Sequence, residues 1–205
     1  MKAFVRHTGI AAPLIRENVD TDLIMPLNRR RSGLSGGQMV FDSIRYLSDG
    51  STNPDFILNQ DPYHIASILL TGRNFGTGSS RESAVTGLMD FGFQCVIAPS
   101  FGEIFYSNCF GNGMLPIILS EDIIMALTEL TKLSPSTEFT IDLELSRISH
   151  PGLSESIGFQ VDSRLRRKLL LGLDDIDEIL SYRENEMDFQ RTDEIARPWI
   201  YHWQT

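Results

Sequence analysis

Cysteine is nearly absent: Cys95 and Cys109 are the only two in 205 residues. They make no C-x-x-C pair, so alone they supply neither a zinc nor an iron–sulfur ligand set. Cys95 lies in an apolar run and reads as a small buried residue, and Cys109 reads the same way. Two free thiols suit a reducing, cytoplasmic setting. His7, His64, His150 and His202 share no ligand spacing, so no metal site is assigned. A positive excess is missing as well. Eighteen Lys and Arg stand against 27 Asp and Glu, a net charge of −9. That balance argues against nonspecific nucleic-acid binding, which needs cations to displace counterions. No apolar run reads as a membrane span or as the core of a signal peptide. The two common nucleotide loops, G-x-x-x-x-G-K-S/T and G-x-G-x-x-G, do not occur.

What is present centres on residues 65–98, which read as strand, glycine-rich loop, helix, strand. Ile65 to Thr71 is apolar and ends at Gly72. Gly72, Gly76 and Gly78 allow a loop that brings backbone N–H groups close to a ligand. Ala84, Val85, Leu88 and Phe91 recur at helical spacing, Gly92 ends the run, and Cys95–Ala98 opens a second buried strand. Such a loop joins a strand end to a helix start, where open N–H groups and the helix dipole favour anions.

Ser79, Ser80 and Arg81 stand at that junction. Arginine grips a carboxylate through two parallel hydrogen bonds. Paired hydroxyls and a guanidinium beside open amides suit a small di- or tricarboxylate. A second reading competes. Ser79-Ser80-Arg81-Glu82 fits the S-x-x-E capping box, in which Ser79 caps the helix and no ligand is required. Spacing alone leaves both open.

Elsewhere, Phe4–Leu14 reads as two short strands with a turn. Asn18–Asp22 reads as an Asx turn leading into a strand at Leu23-Ile24-Met25. Arg29, Arg30 and Arg31 open a Gly/Ser-rich basic stretch. A helix is expected over Met39–Leu47 and a loop over Asp49–Pro62. Phe101–Cys109 reads as a helix with Ile104, Phe105 and Phe110 inward, and Asn108 and Asn112 as turn residues before a strand at Leu115–Leu119. Ser120 caps a helix through Leu133. Phe139–Leu145 alternates like a half-exposed strand and pairs, across His150-Pro151-Gly152, with Ile157–Val161. Helices are expected over Arg164–Leu171, from Leu173 onward and over 183–197. Trp199, Tyr201 and Trp203 mark a tail that packs onto something. The length suits one domain over 1–205, with a helical extension from about 162 to 205.

The segments GRNFGTGSSRES, CVIAPSFGEIFYSNCFGNGMLPI, NVDTDLIMP and LLLGLDDIDEIL, in order over almost the whole chain, resemble the small subunits of 3-isopropylmalate dehydratase, in the aconitase superfamily. Ser83 stands where that family usually has histidine, and the stretch after NVDTD is slightly shorter than usual. The resemblance implies an α/β swivelling β/β/α domain like the fourth domain of aconitase, with a mixed or barrel-like sheet core flanked by helices. It implies a hydro-lyase of leucine biosynthesis, interconverting 2- and 3-isopropylmalate through 2-isopropylmaleate. Ser79 becomes the candidate base and Asp22 a catalytic partner. Asn74, Gly76, Gly78, Ser80, Arg81 and Arg29–Arg31 become substrate contacts, with the arginine stretch setting substrate choice. No cofactor is expected on this chain. A 4Fe–4S cluster belongs on a large-subunit partner, and no nucleic acid or membrane is involved. The alternatives are the small subunit of a homoaconitate, citramalate or dimethylmalate dehydratase, or a noncatalytic anion-binding paralogue.

Overall fold

The computed structural model describes residues 1–26, 35–180 and 182–201, except for the side chain of Asp175. Arg29, Arg30, Arg31, His202 and Trp203 lie outside the described residues. Two units are present, Met1–Gly172 and Leu173–Thr205. Residues 162–171, read from sequence as the start of the extension, belong to the first unit.

The first unit holds two four-stranded sheets. Strands β1 (Arg6–Gly9), β6 (Phe139–Asp142), β7 (Arg147–Ser149) and β8 (Ile157–Gly158) form an antiparallel sheet in the order β1-β6-β7-β8. Strands β2 (Ala11–Leu14), β3 (Ile68–Thr71), β4 (Cys95–Ala98) and β5 (Leu115–Ile118) form a parallel sheet in sequence order. The short strands β1 and β2 therefore enter different sheets and make no hairpin.

The parallel strands are apolar on both faces because both faces are covered. Alternation then sorts the side chains. Ala11, Ile68, Cys95 and Leu115 form one row across the sheet and face a core shared with Phe139, Ile141 and Ile148 of the antiparallel sheet. Ala12, Leu69 and Val96 form the next row and face the opposite core, with Ala84, Val85 and Leu88 of helix α4 (Glu82–Phe91) and Phe105 of helix α5 (Glu103–Asn112). The result is an antiparallel sheet, a parallel sheet and a helical layer, the β/β/α arrangement expected. Each fully buried Leu, Ile or Phe in these rows contributes about 1.5–3 kcal/mol. Helix α6 (Glu121–Leu133), with Glu121 and Asp122 in its first turn, adds Ile124 and Leu127 to the sheet–sheet core. Helix α7 (Ser163–Leu171) adds Leu169 to the same core.

Several local expectations change. Leu23–Met25 is no strand: Asp20 accepts from Leu23 N–H at 2.6 Å and caps a four-residue helix α1, Thr21–Ile24. The helix expected over Met39–Leu47 splits into α2 (Gly36–Met39) and α3 (Asp42–Arg45), because Phe41 has a φ of 58° between them. Ile104 is 49% exposed and not in the core. Asn108 and Asn112 lie inside α5, which closes at Gly113. Phe139–Asp142 pairs with the unforeseen strand β7, and β7 in turn pairs with Ile157–Gly158.

In the second unit, helices α8 (Asp175–Leu180), α9 (Arg183–Ala196) and α10 (Pro198–Tyr201) follow one another. Asp193 joins α10 to α9, accepting from Tyr201 OH at 2.8 Å and from Arg197 Nε at 2.6 Å. The Tyr201 bond, then the Arg197 bond and charge, lower the affinity of this carboxyl for its proton.

Candidate active site

The strands of a parallel sheet all end on one edge, and here the ends of β2, β3 and β4 carry three loops: residues 15–22, 72–81 and 99–102. They are laced together by backbone hydrogen bonds. Asn18 N donates to Arg73 O at 2.8 Å, Gly76 N to Val19 O at 2.7 Å, and Thr21 N to Thr77 O at 2.9 Å. On the other side, Phe75 N donates to Ser100 O at 3.1 Å and Gly102 N to Phe75 O at 2.9 Å. Beneath the loop, Phe75 packs edge-on against Phe105, with ring centres 5.4 Å apart.

The first half of the glycine-rich loop is therefore committed to the fold. Asn74 N donates to Ser100 Oγ at 2.9 Å, and the Asn74 side-chain amide donates to Asn18 Oδ1 at 2.9 Å. Gly76 has a φ of +74°, and a Cβ there would lie 2.1 Å from Phe105. The N–H groups of Asn74 and Gly76 are therefore bonded within the protein and are not open donors.

The second half differs. Gly78, at φ +97°, meets nothing closer than 3.6 Å where a Cβ would be. Among the described residues, the amides of Gly78, Ser79 and Ser80 meet no protein acceptor. Ser79 and Ser80 are exposed.

The capping box does not form. Helix α4 starts at Glu82, the cap position falls on Arg81, and no side chain caps it. The Ser79 hydroxyl lies instead 3.0 Å from the hydroxyl of Thr21. Thr21 Oγ1 also donates to the Ser79 carbonyl at 3.2 Å. Arg81 Nη1 donates to Asp22 Oδ1 in a short ion pair; the Arg81 side chain is 21% exposed and that of Asp22 64%. The structure thus brings together Ser79, Ser80, Arg81, Asp22 and Gly78, with Asn74 at the far end of the loop. Sequence reasoning read Asn18 and Thr21 only as part of the Asn18–Asp22 turn and passed over Ser100. Their signal was only an Asn, Thr or Ser in a turn.

The same edge ends in a second charged pair, Arg73 with Glu121 at 2.7 Å. That bond, then the Glu121 charge, raises the guanidinium's affinity for its proton further.

The residues present do not fit an iron–sulfur cluster. Burial pushes both thiols far up, while a cluster is held by thiolates. Cys95 faces the sheet–sheet core and Cys109 the helical one. Among the described residues, no group of three or more His, Cys, Asp or Glu is placed to hold a metal, and no helix is long and apolar enough to cross a membrane.

Fold and site together define a β/β/α domain whose working edge suits a small anion. Comparison with known proteins agrees with the fold. Residues 1–122 match the family model for the aconitase C-terminal domain. Small subunits of 3-isopropylmalate dehydratase are similar throughout. That of Gluconacetobacter diazotrophicus is 47% identical, covering 97% of each chain. That of Rhodospirillum rubrum is 46% identical, covering 98% of this chain and 97% of its own. That of Marinobacter nauticus is 43% identical over 98% and 99%. A crystal structure of 3-isopropylmalate dehydratase from Methanocaldococcus jannaschii superposes with a TM-score of 0.62 at 24% identity, over 89% of this chain and 98% of that one, which supports the fold. The chain belongs to the aconitase C-terminal domain family, in its group of 3-isopropylmalate dehydratase small subunits.

Proposed function

We propose that this chain acts as the small-subunit half of a hydro-lyase that interconverts 2- and 3-isopropylmalate in leucine biosynthesis, in the cytoplasm. The reaction removes a hydroxyl and the proton of a neighbouring carbon, and returns both in exchanged positions. Ser79 Oγ takes and returns the proton. A free serine hydroxyl is far too weak an acid for this role, so its charged form needs support. The open amides of Gly78, Ser79 and Ser80 and the guanidinium of Arg81 supply that support at the head of α4. Ser80 and Arg81 grip a substrate carboxylate, Arg81 through its planar fork. Asp22 holds Arg81 in place before substrate arrives. Asn74 and Gly76 keep the loop in shape, and Arg29–Arg31 discriminate among substrates.

The observation that carries this reading is the freeing of Ser79 from the helix cap and its placement, exposed, beside the Arg81–Asp22 pair. Among the described residues, no group is placed to withdraw hydroxide. A large subunit bearing a 4Fe–4S cluster would supply that Lewis acid, so the substrate is bound between two chains. The test is an assay of the purified chain alone and after mixing with the large subunit of a 3-isopropylmalate dehydratase. Turnover is expected only in the mixture. Turnover by the isolated chain, or none in a mixture where the two chains co-purify, overturns the proposal.

A further inference from the structure

We infer that Thr21 is a positioning residue for Ser79, fixing its hydroxyl at the working edge and donating a hydrogen bond to it once it has lost its proton. This rests on the reading of Ser79 as the base. Thr21 is 1% exposed and is the first residue of the four-residue helix α1. The helix is fixed at that end twice: Asp20 accepts from Leu23 N–H at 2.6 Å, and Thr21 N–H reaches Thr77 O at 2.9 Å. The Thr21 hydroxyl then makes two contacts, and both are to Ser79. One is to its carbonyl, at 3.2 Å, and one to its hydroxyl, at 3.0 Å.

These two contacts form a switchable pair. At rest, Thr21 donates to the Ser79 carbonyl and Ser79 donates to Thr21 Oγ1. When Ser79 is an alkoxide it has no proton to give. Rotation of the Thr21 hydroxyl proton, which a hydroxyl permits freely, then aims that proton at Ser79 Oγ. A hydrogen bond to an ionised acceptor is roughly twice as strong as a neutral one. The proton abstracted from substrate carbon passes to Ser79 Oγ and back, while Thr21 keeps its own throughout. The next residue, Asp22, pairs with Arg81. One helical turn thus holds both groups that the reaction needs, through adjacent side chains. A residue needed only to anchor the turn has its own N–H bond to Thr77 O for that purpose, and gains nothing from a hydroxyl directed at Ser79.

The test compares Thr21→Val, which keeps the shape and removes the hydroxyl, with Thr21→Ser, which keeps the hydroxyl. Each chain is mixed with the large subunit and assayed across pH. For Thr21→Val, kcat should fall roughly 10- to 100-fold, the scale of a misplaced reacting group. KM should stay nearly constant, and the rise of kcat with pH should move to higher pH. Thr21→Ser should follow the parent profile. The double variant Ser79→Ala/Thr21→Val should be no slower than Ser79→Ala alone, since residues acting as a unit are not additive. If Thr21→Val does not fold, Thr21→Ala is compared with Thr21→Ser in the same way. Parent kcat and pH profile in the hydroxyl-free variant overturn the inference. So does an equal loss in Thr21→Val and Thr21→Ser accompanied by a lowered Tm, which marks a fold anchor. A Ser79→Ala chain with parent turnover instead removes the base assignment itself, whatever the Thr21 variants do.

Discussion

Residues 72–76 and 77–81 belong to one glycine-rich loop, yet their polar groups have different uses. The first half is hydrogen-bonded on both sides, to Val19 and Asn18 in one neighbouring loop and to Ser100 in the other. It packs against Phe105 so closely that Gly76 has no room for a Cβ. The second half leaves the amides of Gly78, Ser79 and Ser80 without protein acceptors among the described residues, and it turns Ser79 toward Thr21. A site for an anion needs donors that are fixed and still unpaired. Fixing comes from the first half and open donors from the second, so neither half works alone. Pre-organised donors of this kind need no rearrangement when charge develops.

The largest expected effect lies in the second half. Ser79→Ala should lower kcat by about 10²–10⁴-fold in the mixture with the large subunit, as loss of a general base does. Its Tm should move little, because the lost bond to Thr21 is worth about 0.5–1.5 kcal/mol. Steady-state kinetics and thermal unfolding of the same preparation check both. A lowered Tm with parent kcat would return Ser79 to a structural role and erase the division of the loop.

Gly76→Ala should have the next largest effect, and on the other quantity. Its positive φ costs a non-glycine residue about 1–3 kcal/mol, and Phe105 must also shift away from the new Cβ. Denaturant unfolding should show the loss, with kcat per folded molecule much less affected. Collapse of kcat at unchanged stability would place Gly76 in the site and break the comparison.

Arg81→Lys should have the smallest effect. It keeps the charge and loses the planar fork, so kcat/KM should fall by about tenfold, equivalent to roughly 1.4 kcal/mol. Its Tm should stay near the parent value, because the bond to Asp22 is partly exposed and such pairs contribute about 0–1 kcal/mol. Unchanged kinetics would remove Arg81 from the second half's function and sharpen the site to Ser79 and its amides.

Much of this was legible in advance, and the misses share a cause. Of the strand, loop, helix and strand read over residues 65–98, all four are present, because apolar runs, helical spacing and Gly92 are local signals. The first strand, however, begins at Ile68, with Ile65 exposed at the end of a short 3-10 turn. The S-x-x-E pattern was equally local and misleading. Thr77 O accepts from Thr21 N–H across the loops, the chain bends through Gly78 and Ser79, and Arg81 is still extended rather than helical. A hydrogen bond between residues 56 apart thus prevailed over a cap worth about 1 kcal/mol. Strand β7 escaped notice because three residues, Arg147–Ser149, with only the middle one buried, carry too little pattern.

By itself the sequence determined the parallel strands, their helices, the glycine-rich junction and the family, since each is written in contiguous residues. Tertiary structure alone decided which of the junction's donors stay open and which hydroxyl faces Ser79. Those outcomes depend on residues 18–22 and 100–102 lying against residues 73–79. Hydrogen bonds between distant segments act over about 3 Å, and nothing in the spacing along a chain fixes which of its turns will come that close.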